Sequence, residues 1–269
     1  MVTAFRAFME GLIDYAGLFP PARLDLETAI RKFIRYRAGP DAWMLERFII
    51  PASRLTELLP YHEELAVGTS GPVGFSVLLS GGGGANGACD NLQKEIEEIL
   101  VFQDRQGPSC RIDVLETRLP VETAEASEAE RTTEYLRSLD TLLRKSGLDG
   151  VELFLEVPPG SLSISSVESA IQGIADLGKT GTAGKGAVIR AGFKLRCGGL
   201  ERENIPKPDL VARVLVECRD QGTPLKCTAG LHHPIRHHDA GLDAMVHGFF
   251  NVFGAGILAH ALNLSLIHI

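Results

Sequence analysis

Val151-Glu152-Leu153-Phe154-Leu155-Glu156-Val157 is the stretch whose reading decides the fold. Side chains on a strand alternate between two faces. Val151, Leu153, Leu155 and Val157 therefore share one face, and Glu152, Phe154 and Glu156 share the other. Interior strands of an open doubly wound sheet are apolar on both faces. An apolar face toward helices and a mixed face toward a lumen is what a closed barrel requires. The expected fold is α/β, a (β/α)8 TIM-barrel-like domain.

Working outward, a strand-like run followed by a helix recurs at the length of a βα unit. Ile13–Pro20 reads as the first strand, with a helix from about Asp25 to Arg37. Arg47–Ala52 reads as the second, its helix capped by Ser53. Val73–Ser80 is the third, followed by a helix from about Asp90 to Asp104. Arg111–Leu119 is the fourth, with a capping box at Ser127-x-x-Glu130 and a stop at Gly147. A second box, Ser165-x-x-Glu168, opens the helix after the fifth strand. Ala191–Cys197 is the sixth strand, followed by a helix from Pro208 to Gly222. Leu225–Ala229 is the seventh, ahead of an apolar helix after His247. Seven units running one way imply a parallel sheet.

An eighth unit is missing from this count. The last residues, Leu264-Ser-Leu-Ile-His-Ile269, resemble a peptide translated from sequencing-adapter DNA at the edge of an assembled fragment. On that reading residues 1–269 form one barrel domain, incomplete at its C-terminus, whose natural chain carries the eighth strand and final helix.

The chain has 269 residues, 45% hydrophobic and 23% charged, and a formal net charge of −7. This excludes general nucleic-acid binding, which needs a basic field. Five cysteines without a C-x-x-C pair read as reduced thiols of a cytoplasmic protein. The final apolar stretch is interrupted by Asn251, His260, Asn263 and His268, which reads as a buried helix and not a membrane span.

The sixth and seventh strands carry the chemistry. Lys194 and Arg196 share one face of Phe193-Lys-Leu-Arg-Cys-Gly-Gly199, as Lys226 and Thr228 do in Leu225-Lys-Cys-Thr-Ala-Gly-Leu-His-His-Pro234. Buried charge costs several kcal/mol unless it is paired or used. Barrel active sites lie at the C-terminal ends of the strands. The polar residues collected there are Asp14, Tyr15, Glu116, Glu152, Glu156, Lys194, Arg196, Lys226, Thr228, His232 and His233. Lys194, crowded by Arg196 and Lys226, is expected to release its proton readily and act as a Schiff-base nucleophile. Its place on the sixth strand resembles that of class I aldolases, a likeness of position only. Glu156 would shuttle protons and Arg196 would hold a carboxylate or phosphate. Lys226 could replace Lys194 as nucleophile. Alternatively, these residues form an ion-pair layer plugging the lumen.

Five of the eight histidines, His232, His233, His237, His238 and His247, fall close together. His232 is read as an acid or base and His233 as a substrate contact, with His237 and His238 in solvent. A rival reading makes Glu116, Glu156, His232 and His233 ligands of a divalent metal; no cofactor is favoured. Gly198 and Gly199 read as an anion nest or lid beside the cations. Ser80-Gly-Gly-Gly-Gly-Ala-Asn-Gly87 reads as an anion nest, a lid or a plain connector. Gly173-Ile-Ala-Asp-Leu-Gly-Lys-Thr180 matches a phosphate-loop pattern but closes a helix, with Gly178 as its cap, so it is read as coincidence.

Lys194-x-Arg196-Cys-Gly-Gly199, Lys226-x-Thr228-Ala-Gly-Leu-His232-His233-Pro234 and His247-Gly-Phe-Phe-Asn251, with the opening Asp14-Tyr-Ala-Gly-Leu-Phe-Pro-Pro21, resemble an uncharacterised bacterial family of predicted barrel proteins. The resemblance spans the whole chain. It implies a single barrel that continues past residue 269, and it carries no assigned catalytic residues. The expected function is a lysine-imine lyase or isomerase acting on a small anionic metabolite. The alternatives are a metal-dependent lyase or hydrolase and a non-catalytic ligand-binding barrel. No nucleic-acid or membrane partner is expected, and a homo-oligomer is compatible with this reading.

Overall fold

The computed structural model describes residues 3–67, 71–81, 87–148, 150–180 and 189–266. The first elements are α1 (Ala4–Met9), β1 (Ile13–Tyr15), α2 (Leu26–Arg37), β2 (Leu45–Pro51), α3 (His62–Val67), β3 (Val73–Leu78), α4 (Gly87–Gln106) and β4 (Cys110–Arg118). They are followed by α5 (Val121–Ala126), α6 (Ala129–Lys145), β5 (Glu152–Glu156), α7 (Ile164–Thr180), β6 (Arg190–Arg196), α8 (Pro208–Gln221) and β7 (Leu225–Thr228). β8 (His237–Asp239), β9 (Ala244–Val246) and α9 (Phe249–Ala261) complete the set. β1 to β7 are hydrogen-bonded in chain order. The registered pairs β1–β2, β2–β3, β3–β4, β5–β6 and β6–β7 are all parallel.

All seven expected strands are present, but several boundaries and caps differ. The first strand stops at Tyr15 and not Pro20, because the next backbone groups turn on themselves: Phe19 N–H donates to Ala16 and Leu24 N–H to Gly17. The segment after β2 is a 3-10 run, Ala52–Tyr61, with Pro51 at its cap position and no side-chain cap, so Ser53 does not serve there. Ser127 does not open α6 either. It ends α5 in the left-handed conformation at φ 51°, and its hydroxyl turns back toward the Ala124 carbonyl. α7 does have a reciprocal box, but at Ser163 and Ser166 in place of Ser165 and Glu168. Ser166 N–H donates to Ser163 Oγ at 3.1 Å, and Ser163 N–H donates to Ser166 Oγ at 2.9 Å. α8 begins at Pro208, and Gly222 closes it at φ 65°. The antiparallel pair β8–β9 falls in a stretch read only as a histidine-bearing loop.

The chain divides into two compact units, Met1–Ser80 with Ala85–Glu116, and Gly81–Gly84 with Thr117–Ile269. In the first, Phe33, Phe48, Phe75 and Phe102 are fully buried and form an edge-on series with successive centroids 5.4, 6.1 and 5.3 Å apart. On the other face of its strands, Arg47 draws in Asp14 and Asp113, each at 3.7 Å. The side chain at Gly74 is absent for a reason: a Cβ there would meet the Asp113 carboxylate at 2.4 Å.

In the second unit, Leu153, Leu155, Phe193 and Leu195 are buried on one face of β5 and β6, alongside the apolar stripes of α7 (Val167, Ala170, Ile171, Ile174) and α8 (Val211, Val214, Leu215). Phe154 and Glu156 are buried on the other face of β5. The alternation read from residues 151–157 is thus realised, with a filled inner face. α6 and α7 meet at Gly173, where a Cβ would lie 2.6 Å from the Ala129 carbonyl, and Thr133 Oγ1 donates to the Gly173 carbonyl at 3.0 Å. The phosphate-loop look-alike is therefore a helix-packing contact. Gly178 lies inside α7 and does not cap it.

Candidate functional site

Parallel register decides which side chains meet. Glu156 is opposite Lys194 on β5 and β6, Lys194 is opposite Lys226 on β6 and β7, and Arg196 is opposite Thr228. Below this level, Phe154 fills the inner face. It fits because position 192 is glycine: a Cβ there would lie 2.6 Å from the Phe154 ring and 2.8 Å from the Pro224 carbonyl. Lys226 Nζ sits over this ring, 5.9 Å from its centroid.

Above Phe154, one carboxylate gathers three cations. Lys194 Nζ lies 2.8 Å from Glu156 Oε2. Arg196 Nε donates to Glu156 Oε1 at 3.0 Å. Arg118 Nε, from the end of β4, approaches the same Oε1 at 3.5 Å. Side-chain exposure is 2% for Glu156 and 9% for Lys194, against 30% for Arg196 and 48% for Arg118. The cluster therefore runs from a dry end at Lys194 to a wet end at the arginines. Burial alone would raise the Glu156 carboxyl, but the charges of Lys194 and Arg196 and their hydrogen bonds outweigh it and hold the group below its usual range. The crowding of Lys194 by cations read from the sequence is thus answered by a carboxylate lodged beside it.

Arg118 was not among the residues singled out from the sequence. Period two places it with Glu116 on the inner face of β4, so the signal was present but unused. Among the described residues, Thr228 Oγ1, buried opposite Arg196 in the register, has no hydrogen-bond partner. Gly198 and Gly230 press backbone to backbone, and a Cβ on Gly198 would lie 2.8 Å from Gly230 Cα. A Cβ on Gly199 would lie 2.6 Å from the Asn204 side chain. Both expected site glycines thus have a packing reason for being glycine, where the loops after β6 and β7 meet. The loop 82–86, the other glycine-rich candidate, lies outside the described residues, as do 267–269.

The other expected site residues have partners of their own. Glu152 stands at the opposite end of β5 from Glu156, paired with Arg190 at 2.9 Å. Asp14 accepts from Arg47 N–H at 3.1 Å, and Tyr15 packs among Phe33, Tyr36 and Phe48 in the first unit. Glu116, in the first unit, accepts from Ser76 Oγ at 2.6 Å. His232 and His233 are exposed in the loop after β7. Although its surface is exposed, the protein packed around the His232 ring desolvates it, and this, with the neighbouring His233, pushes the imidazole below its ordinary value. His233 stacks edge-on against His237 at 4.3 Å. His238 is exposed as expected, whereas His237 is half-buried in β8. His247 is buried, and its Nε2–H donates to the Pro206 carbonyl at 2.7 Å.

Among the described residues, no three His, Cys, Asp or Glu side chains come together as a metal-ligand set, and the four candidate ligands Glu116, Glu156, His232 and His233 form no group. Glu156 itself is occupied by cations. Cys110, Cys197, Cys218 and Cys227 are free thiols. No helix is long and apolar enough to cross a membrane among the described residues. A cleft of about 540 Å³ opens beside α8 and α9, with His247, Asn251 and Arg236 in its wall, and none of Glu156, Lys194, Arg196 or Lys226 lines it.

No protein-family model matches the chain, and no curated protein matches it. Among solved structures, it is similar to the deoxyribose phosphate aldolase of Aeropyrum pernix, described as having a unique tetrameric structure. The TM-score is 0.52 and the identity 13%, covering 96% of this chain and 92% of that one. At that identity the likeness shows the fold: the chain is of the α/β-barrel class, with seven βα units.

Proposed function

We propose that this protein is a barrel lyase that handles a small anionic carbonyl compound, a carboxylate or a phosphate, through an imine on Lys194. The observation that carries the reading is the buried Lys194–Glu156 pair at 2.8 Å, at the C-terminal ends of β5 and β6. An ammonium must lose a proton before its nitrogen can attack a carbonyl carbon. Glu156 Oε2, 2.8 Å away, is an acceptor within reach, and its depressed carboxyl passes the proton on instead of keeping it. The nitrogen then adds to the carbonyl, a carbinolamine forms, and water leaves as the C=N bond closes. Dispersing charge from the adjoining C–C bond into the iminium is what an aldolase-type step needs. Arg196, held by Glu156 and open to solvent on its other side, is the group to hold the substrate's anionic end. Thr228 Oγ1, buried and without a partner among the described residues, has a hydrogen bond to offer there. The solved neighbour's activity, an aldolase on a phosphate sugar, supports the same direction. His232, exposed after β7, is the acid or base in reserve for the released fragment.

Borohydride trapping tests this. The protein is incubated with small 2-keto acids and phosphorylated aldehydes, reduced, and its mass and peptides read. The expected result is one reduced adduct on Lys194, lost in Lys194→Ala. An adduct on Lys226 would move the nucleophile one strand over. Absence of any lysine adduct across the panel rejects the imine.

A further inference from the structure

We infer that Arg118 and Arg196 form a subsite for one phosphate-monoester dianion, which makes the substrate a phosphorylated carbonyl compound and not a simple keto acid. This rests on the reading of the site given above and narrows its substrate class.

The first argument is charge. Arg196 and Arg118 both touch Glu156 Oε1, so two permanently charged guanidiniums share one carboxylate oxygen. The second is geometry. An arginine presents five N–H donors in a planar fork. Each of these two touches Glu156 Oε1 through its Nε. Among the described residues, the terminal Nη groups of both arginines make no hydrogen bond to protein. The ends left over belong to the more exposed members of the cluster, at 48% and 30%, so they face the wet side.

Two forks anchored on a single oxygen are close together and call for an anion whose charge sits on one centre. A phosphate monoester has three terminal oxygens and close to two charges near neutral pH. It can take both forks at once. A monocarboxylate offers two oxygens to one fork, and a dicarboxylate spreads its charge along a chain. Thr228 Oγ1, buried, opposite Arg196 in the register and without a partner among the described residues, adds a neutral donor.

The probe should lack a carbonyl, so that anion binding is read independently of imine chemistry. Methyl phosphate, acetate and succinate are titrated into the protein by calorimetry at pH 8 and pH 5. The expected result is methyl phosphate binding at least tenfold tighter than either carboxylate at pH 8. That preference should shrink at pH 5, where the monoester gives up its second charge. Arg118→Gln and Arg196→Gln should each remove at least tenfold of the methyl phosphate affinity, with melting curves confirming a folded protein. Arg118→Lys, which keeps the charge and loses the fork, should fall between wild type and Arg118→Gln. Equal binding of the three anions, no binding of methyl phosphate, or an unchanged preference in both glutamine variants overturns the inference. Lysine adducts formed only with unphosphorylated keto acids would overturn it too, while leaving the imine intact. Phosphate binding without any lysine adduct would do the reverse.

Discussion

Replacing Glu156 with glutamine keeps the shape of the side chain and removes a buried negative charge that Lys194, Arg196 and Arg118 all contact. Deleting one partner of a buried pair costs about 3–5 kcal/mol, because the remaining charge is left uncompensated. Glu156→Gln should therefore destabilise the protein by that amount in denaturant unfolding, far more than Glu152→Gln, whose partner Arg190 is 77% exposed. A loss below 1 kcal/mol would show that the cluster is not the dry ion group described. The pH dependence follows from the same carboxylate. Its folded value lies below the ordinary 4.5. The unfolded chain thus takes up this proton first on acidification, and the stabilisation is complete above the ordinary value. It is lost as pH falls through the depressed folded value. Unfolding midpoints measured between pH 7 and pH 3 should show this loss in the wild type and not in Glu156→Gln. Three of the four members of the cluster, Glu156, Lys194 and Arg196, could be read from the sequence because alternation on a strand is a strict rule. The histidines could not be placed, since a loop has no such period to say where a side chain points.

At the scale of elements, helix α7 shows how a pattern can be right in kind and wrong in position. The run Ser163-Ile-Ser165-Ser166 contains several hydroxyls that could start a helix, and composition cannot choose among them. The backbone chose Ser163 and Ser166, which serve each other's N–H groups. Ser163→Ala should cost about 1 kcal/mol, as loss of an N-cap does, whereas Ser165→Ala, at an exposed position, should stay within about 0.5 kcal/mol. Urea unfolding of the two variants separates the two assignments, and equal losses would contradict the observed cap. The strands and most helices were legible because each spans several repeats of its period. β8 and β9, at three residues each, are too short for a period-two signal to rise above the loop around them. Likewise, Ser127 was read as opening a helix when its left-handed backbone closes the preceding one; a hydroxyl beside a helix boundary marks the boundary but not its direction.

On the scale of the whole molecule, mean hydropathy is near zero at +0.08, and single exposed apolar residues such as Phe5, Val121 and Leu200 need no special account. The end of α9 is different. Ile257, Leu258 and Leu262 are exposed by 53, 53 and 62% and lie within one and a half turns of each other, while Val252 and Ala259 are the buried members of the helix. An apolar row of this kind is solvated at a cost and attracts hydrophobic probes. The protein should therefore enhance the fluorescence of an anilinonaphthalene sulfonate dye while fully folded. The combined variant Ile257→Gln, Leu258→Gln and Leu262→Gln should lower that signal at least twofold and raise solubility, with each exposed substitution changing stability by no more than about 0.5 kcal/mol. The dye must be read alongside near-ultraviolet circular dichroism, because loosened packing would also bind it. A native spectrum with a signal unchanged by the three substitutions would place the dye elsewhere. The first alternative is the cleft beside α8 and α9, whose apolar wall includes Val211, Leu215 and Val252. Leu215→Gln, which would put an amide into that wall, is the variant that should then extinguish it.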